Sequence, residues 1–86
     1  MNPADATQRI AALLREVDED LVLPPEAELG GKHLTEDLYL DSLDVIKFIL
    51  LAEERFGCKL PDEDIDRLEL LKVGNLAAYL ADRAAG

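Results

Sequence analysis

The stretch Asp41-Ser42-Leu43-Asp44, with the amphipathic run of residues 45–56 that follows it, decides the fold of this chain. An acidic residue, a hydroxyl and then periodic apolar residues are typical of a capped helix start. The Asp41 carboxylate can accept from the first free backbone N–H groups, and Asp44 can reach back as in a capping box. The pattern predicts a helix over residues 42–56, with the Ser42 hydroxyl at its positive end, where a phosphate would be stabilised. Taken alone, it indicates only a helix start.

Four segments in fixed order extend this pattern over nearly the whole chain. They are Glu36-Asp37-Leu38-Tyr39-Leu40-Asp41-Ser42-Leu43-Asp44, Glu53-Glu54-Arg55-Phe56, Leu60-Pro61-Asp62-Glu63 and Val73-Gly74-Asn75-Leu76-Ala77-Ala78-Tyr79-Leu80. Together they resemble the acyl carrier protein family, whose pattern reads E-D-L-G-x-D-S-L-D, then a helix ending E-E-x-F, then I-P-D-E. The resemblance implies an all-α four-helix bundle, with three longer helices and one short one. It also implies a long loop between the first two helices and a single domain over residues 1–86.

The function implied by the resemblance is carriage. In that family the serine at the Ser42 position bears a 4′-phosphopantetheine arm from coenzyme A, attached by a phosphopantetheinyl transferase. Acyl groups are then held on the arm as thioesters and presented to fatty-acid, polyketide or related biosynthetic enzymes. The sequence has no metal-ligand cluster, glycine-rich phosphate loop or Ser/His/Asp set, so we expect no enzymatic activity. Two alternatives stay open: an aminoacyl or peptidyl carrier, and an acidic helical adaptor without a prosthetic group.

The composition is that of one small folded domain. With 86 residues, 49% of them hydrophobic and 33% charged, the chain is expected to be globular and not disordered. Its longest apolar run is well short of the ~20 residues that a membrane span needs. No export signal is visible, so we expect a cytoplasmic protein. The single cysteine excludes a disulfide within the chain.

The charge of the chain restricts its partners. Nineteen acidic residues against nine basic ones give a net charge of −10. Binding to a nucleic-acid backbone requires basic surface and is therefore not expected. The acidity favours partner enzymes with basic docking patches, attracted by long-range electrostatics. We expect the protein to act as a monomer.

The first forty residues predict one helix and one long connection. Asn2 and Pro3 form a helix start, and the periodic apolar residues that follow predict a helix over about residues 3–19. Residues 22–40 contain Pro24-Pro25 and Gly30-Gly31, which rule out a continuous helix. The leucines in this loop are spaced so that they can fix it to a core. A lone histidine, His33, also lies here and is expected to be a surface residue.

The helix predicted over residues 42–56 carries two apolar stripes. The expected core stripe consists of Val45, Phe48, Ile49, Ala52 and Phe56. A second stripe falls on roughly the opposite side, which indicates either burial on both sides or a docking surface. We favour docking, since this helix is the family's main recognition element, and call the predicted set the docking face. The docking face comprises Asp41, Leu43, Asp44, Ile46, Leu50, Glu53 and Glu54.

The rest of the chain predicts a short helix over residues 62–70 and a last helix from about residue 74 to 83. Asp62, Asp64 and Asp66 match the first ligands of a calcium loop, but the required glycine and final glutamate are missing, so no metal site is expected. Nothing around Cys58 would activate its thiol. Tyr39 and Lys47 depart from the family pattern, which has glycine and commonly an acid there. These departures favour a carrier for a particular pathway.

Overall fold

The helices of the protein form a small bundle, seen in a computed structural model that describes residues 1–83. Its elements are α1 Pro3–Val17, α2 Glu26–Leu29, α3 Ser42–Phe56, α4 Asp62–Arg67 and α5 Val73–Arg83. The described residues contain no strand beyond one isolated bridge between His33 and Lys72. The predicted all-α class and the bounds of α3 are confirmed. The loop between the first two long helices contains an additional helical turn, α2. This turn was not predicted, because the prolines and glycines on either side of it indicated a loop.

Helix α1 has a side-chain cap at its start and a local side-chain hydrogen bond just after its end. The Asn2 side chain accepts a hydrogen bond from the Asp5 N–H at 2.8 Å, and Pro3 is the first helical residue, as predicted. The helix ends at Val17, about two residues earlier than expected. Asp18 has extended backbone angles, and its carboxylate accepts from the Asp20 N–H at 3.0 Å. Asp side chains compete with helical hydrogen bonds in this way, which explains the early end.

Helix α4 is also shorter than predicted. The expected helix reached residue 70, whereas α4 ends at Arg67 and contains no buried residue. Glu69 has a left-handed backbone with φ of 51°, and the Leu70 N–H donates to the Ile65 carbonyl at 3.0 Å. This terminating turn resembles the hydrogen bonding that commonly ends helices. It redirects the chain into α5.

The core lies where α1, α3 and α5 meet. Phe48, Ala52 and Phe56 of α3 are buried there, which confirms most of the predicted core stripe; Val45 and Ile49 are half-buried. At the edge, Arg9 lies over the Phe56 ring at 4.3 Å and donates to the Arg55 carbonyl at 2.7 Å. The fully buried side chains include Ile10, Leu14, Leu29, Leu34, Phe48, Leu70, Val73, Leu76 and Leu80.

The long loop is attached to the start of α5 by three backbone hydrogen bonds, which we call the seam. Gly74 N–H donates to the Gly30 carbonyl at 2.8 Å, and Val73 N–H donates to the Lys32 carbonyl at 2.9 Å. Leu34 N–H donates to the Leu71 carbonyl at 2.8 Å. The loop leucines Leu29, Leu34, Leu38 and Leu40 are buried, as their spacing predicted.

The seam requires glycine at position 74. A Cβ atom added there would lie 2.7 Å from the Gly30 carbonyl oxygen, closer than atoms of this kind approach. We expect Gly74→Ala to lower the free energy of unfolding by about 1–3 kcal/mol, because the loop must shift and the seam hydrogen bond weakens. Urea unfolding measures this change.

Gly31→Ala is the matched control. Its added Cβ would lie 3.7 Å from the Glu28 carbonyl oxygen, an ordinary contact. We expect its stability to equal or slightly exceed that of the wild type. Equal stabilities for Gly74→Ala and Gly31→Ala would show that the seam does not depend on close approach.

Candidate functional site

Ser42 is the first residue of α3, and its side chain is exposed. The Asp41 carboxylate caps the helix by accepting from the Asp44 N–H at 2.8 Å. The reciprocal bond of the predicted capping box, from the Asp44 side chain, is not formed among residues 1–83. Half of the predicted box is therefore present, and it is sufficient to fix where α3 begins.

The surroundings of the Ser42 hydroxyl fit an attached phosphate. Within residues 1–83, the backbone N–H groups of Ser42 and Leu43 have no acceptor. Free N–H groups and the helix dipole at this end both favour negative charge, by roughly 0.3–1 kcal/mol at an exposed site. An exposed hydroxyl in this position can accept a phosphodiester-linked group without displacing any buried side chain.

The turn before Ser42 is organised by His33, whose role the sequence did not reveal. His33 is half-buried, and its Nδ1 accepts from the N–H groups of Thr35 at 3.2 Å and Glu36 at 3.3 Å. The Asp37 carboxylate accepts from the His33 N–H at 2.7 Å. His33 therefore acts as a local cap for this turn. A histidine at this spacing from a threonine is not a known capping pattern. The sequence therefore gave no sign of the hydrogen bonds to the His33 ring.

Tyr39 has an unusual conformation in the same turn. Its φ is 61°, in the left-handed region, and its side chain is 83% exposed. The neighbouring Leu38 and Leu40 are buried on either side of it. Tyrosine therefore takes the backbone conformation that glycine, the residue of the family pattern at this position, adopts at no steric cost.

The second stripe of α3 lies on the surface. Leu43, Ile46 and Leu50 are 68%, 56% and 60% exposed. Burial on both sides, the alternative left open by the sequence, is therefore wrong. The three side chains form a continuous exposed apolar row that begins one residue after Ser42.

The acidic residues of the docking face differ in their surroundings. Glu54 is exposed, while Asp44 and Glu53 are half-buried. Glu53 accepts from the Leu60 N–H at 2.7 Å and so holds the segment after α3. Asp41 is engaged as the helix cap. Glu54 is consequently the acid of this set whose charge can be changed with the least effect on the fold.

A groove of about 500 Å³ lies between α3 and α4. Its walls are mainly aliphatic, and Glu53 and Asp62 also line it. Val45, one helical turn after Ser42, is the lining residue of α3 nearest to Ser42 in sequence. The lining apolar side chains are Val45, Ile46, Ile49, Leu50, Leu60, Pro61, Ile65 and Leu71.

One polar contact, between Tyr79 and Asp64, joins α4 to α5. The Tyr79 hydroxyl donates to the Asp64 carboxylate at 2.9 Å, and Arg67 contacts the same carboxylate at 3.2 Å. The Tyr79 hydrogen bond, with the weaker contribution of Arg67, holds the pKa of Asp64 below its usual value. Burial, and then the bond to Asp64, raises the pKa of Tyr79. Asp64 is therefore a charged acceptor at neutral pH.

A reactive thiol and a metal site both lack support within residues 1–83. Burial raises the pKa of the Cys58 thiol, which makes it a poor nucleophile at neutral pH. In residues 1–83 no group of three or more His, Cys, Asp or Glu side chains is arranged to hold a metal ion. None of the described helices is long and apolar enough to cross a membrane.

Comparison with known proteins finds one family over most of the chain. A family model described as "Phosphopantetheine attachment site" matches residues 8–80. The chain is 35% identical over 78 residues to an acyl carrier protein of Kineococcus radiotolerans, covering 91% of this chain and 94% of the relative. It is 37% identical over 76 residues to one from Renibacterium salmoninarum, covering 88% and 91%. For one from Helicobacter pylori the identity is 36% over 73 residues, covering 84% and 85%.

The two stripes of α3 should differ sharply in their contribution to stability. Phe48 is fully buried, so Phe48→Ala should lower the free energy of unfolding by about 3–5 kcal/mol. Ile46 is 56% exposed, so Ile46→Ala leaves no closed cavity and should cost less than about 1 kcal/mol. Urea unfolding of both variants measures the difference. Comparable losses would contradict the exposed position of the second stripe.

Proposed function

The chain belongs to the acyl carrier protein family, and we propose that Ser42 is the residue to which its 4′-phosphopantetheine group is attached. Members of this family are carriers and not enzymes, and phosphopantetheine is their prosthetic group. The observation that carries the proposal is the exposed Ser42 hydroxyl at the capped start of α3, beside two backbone N–H groups that have no acceptor within residues 1–83. Ser42 is also the only serine in the sequence.

The residues around Ser42 have distinct roles in this proposal. The attached arm supplies a terminal thiol that holds acyl groups as thioesters. The Ser42 oxygen provides the protein's side of the phosphodiester linkage, and the α3 N-terminus stabilises the negative charge. Asp41 keeps the start of the helix in place. The carrier needs no general base of its own, because the transferase activates the hydroxyl.

The groove between α3 and α4 supports an apolar cargo. Its aliphatic lining can cover an acyl chain and remove it from water, which is worth roughly 0.8 kcal/mol per buried CH₂ group. A charged aminoacyl group would lose hydration against the same walls. We therefore favour acyl cargo over the aminoacyl alternative. Fatty-acid, polyketide or related synthesis fits such a cargo, and the exposed Lys47 favours a specialised pathway.

The docking face is proposed to receive the transferase and the acyl-processing enzymes. Leu43, Ile46 and Leu50 provide its exposed apolar row, and the exposed Glu54 provides negative charge. Asp44 adds charge near Ser42, whereas Asp41 and Glu53 also serve the fold. With a net charge of −10, the protein would attract enzymes that bear basic patches.

The proposal also covers the domain organisation, oligomeric state and location of the carrier. Residues 1–86 would work as one carrier domain, because helices from both ends of the chain share one core. We propose a monomer, since the exposed row on α3 is then free for partner enzymes. We place its activity in the cytoplasm, where coenzyme A and the transferase would supply the arm.

Modification of Ser42 tests the attachment site directly. We expect incubation with coenzyme A and a broad-specificity phosphopantetheinyl transferase to add one phosphopantetheine to the wild type, measured by intact mass. Ser42→Ala should remain unmodified, because it lacks the attacking oxygen. Thr35→Ala is the hydroxyl control and should be modified normally. A wild type that is never modified, or a Ser42→Ala variant that is, would refute the assignment.

Charge reversal on the docking face tests partner recognition. Glu54→Lys should slow association with the transferase by about 2- to 10-fold at low salt, with a smaller effect at high salt, because exposed rim charges act mainly on the on-rate. Stopped-flow or surface plasmon resonance measures the rates. Glu19→Lys is the matched control, since it is also exposed and changes the net charge equally. Equal slowing by both variants would show that net charge, and not the docking face, governs association.

A further inference from the structure

We propose that Tyr39 is a recognition residue, on whose ring a cationic side chain of the enzyme that modifies Ser42 stacks. The inference rests on the proposed attachment at Ser42 and adds a contact outside the docking face. It assigns the partner's side of the contact to an Arg or Lys side chain on a basic surface. Four observations carry it: the backbone conformation of Tyr39, its rigidity, its distance from Ser42 and the charge around it.

The side chain of Tyr39 contributes little to the fold, although the left-handed backbone beneath it places Leu38 and Leu40 in the core. A φ of 61° is unfavourable for a bulky residue, and glycine adopts it freely. With 83% of its surface exposed, the ring also contributes little burial in return. Strained residues persist where the surrounding structure holds them, and they concentrate at functional sites. Tyr39 combines an unfavourable backbone with an exposed aromatic ring beside Ser42, which a purely structural role does not explain.

The turn holds the backbone of Tyr39 on both sides. Leu38 N–H donates to the His33 carbonyl at 3.1 Å, and Leu40 N–H donates to the Leu34 carbonyl at 3.0 Å. The side chains of Leu38 and Leu40 are both buried. The ring is therefore presented from a fixed backbone, and less conformational freedom is lost when a partner contacts it.

Tyr39 lies within the area that any enzyme acting on Ser42 must cover. Two residues, Leu40 and Asp41, separate the two positions, and the three Cα–Cα steps limit their Cα distance to about 11 Å. A standard protein interface covers about 800 Å² on each partner, equivalent to a disc of roughly 16 Å radius. An interface centred on Ser42 would therefore include position 39, whose ring is 83% exposed.

The charge around Tyr39 determines which side chain would stack on it. Residues 34–46 contain four carboxylates, Glu36, Asp37, Asp41 and Asp44, and no basic residue. A cation placed over the ring would gain from both the ring face and the nearby carboxylates. The chain uses this contact elsewhere, with Arg83 lying 3.9 Å from the centre of the Tyr79 ring. Over the Tyr39 ring, no such arginine is found within residues 1–83.

A series of substitutions at Tyr39 tests the contact. The assay is the transfer of phosphopantetheine from coenzyme A to Ser42 by a broad-specificity transferase. Tyr39→Phe keeps the ring and should retain kcat/KM within about 2-fold. Tyr39→Gly and Tyr39→Leu should lower kcat/KM by about 3- to 30-fold, mainly through KM, as expected for the loss of one cation–π contact. The melting temperature of Tyr39→Gly should equal or exceed that of the wild type.

A binding measurement separates recognition from transfer. In a Ser42→Ala background, which cannot be modified, adding Tyr39→Gly should weaken transferase binding by a similar factor in titration calorimetry. Val22→Ala is the control for removing an exposed apolar side chain, since Val22 is 88% exposed and twenty residues from Ser42. It should leave both binding and transfer unchanged.

The outcomes that overturn the inference differ from those that overturn the attachment site. Wild-type transfer rates for Tyr39→Gly would refute any recognition role. Wild-type rates for Tyr39→Leu would refute cation stacking, because leucine keeps apolar bulk without an aromatic face. An unmodified wild type, or a modified Ser42→Ala variant, would instead refute the attachment at Ser42 and this inference with it.

Discussion

The position of Ser42 depends on the seam between the long loop and the start of α5. Residues 18–41 contain a single helical turn, and ordering such a segment costs about 1–2 kcal/mol of backbone entropy per residue. The seam hydrogen bonds and the four buried loop leucines act against this cost and select one position for the loop. The Leu34 N–H donates to the Leu71 carbonyl, and the Leu40 N–H donates to the Leu34 carbonyl. The backbone is therefore held in place up to Leu40, the residue before Asp41. The helix cap and the Ser42 hydroxyl follow directly from it.

Helix α3 serves the core and the surface at once. Phe48, Ala52 and Phe56 are buried, while Leu43, Ile46 and Leu50 remain exposed. The two acids near its ends are not simply solvent-facing charges. Asp41 caps the first turn, and Glu53 holds the Leu60 N–H, which places the beginning of the segment that leads into α4. The same acidic residues thus fix the local backbone and add to the negative potential.

The sequence predicted features that have a characteristic residue pattern and missed contacts, local or distant, that have none. Caps and apolar periodicity correctly indicated the start of α1 and both bounds of α3. The early end of α4 arises from the left-handed Glu69, which no glycine announced. The approach of Gly30 to Gly74 joins positions far apart in the chain and left no local pattern. At the site, the exposed helix start at Ser42 was predictable, but the hydrogen bonds of His33 and Glu53 were not.

The two helices that line the groove, α3 and α4, differ in how firmly they are packed against the core. On the α3 side, its lining is continuous with side chains packed into the core, whose truncation costs several kcal/mol each. Helix α4 buries no residue completely. Its half-buried Ile65 packs against the core, and the Tyr79 bond to Asp64 and the Glu53 bond to Leu60 add to its attachment. Hydrogen bonds of this kind contribute about 0.5–1.5 kcal/mol each, or up to 3 with a charged partner. A displacement of α4 should therefore cost less than a displacement of the buried face of α3, whose start holds Ser42 in place.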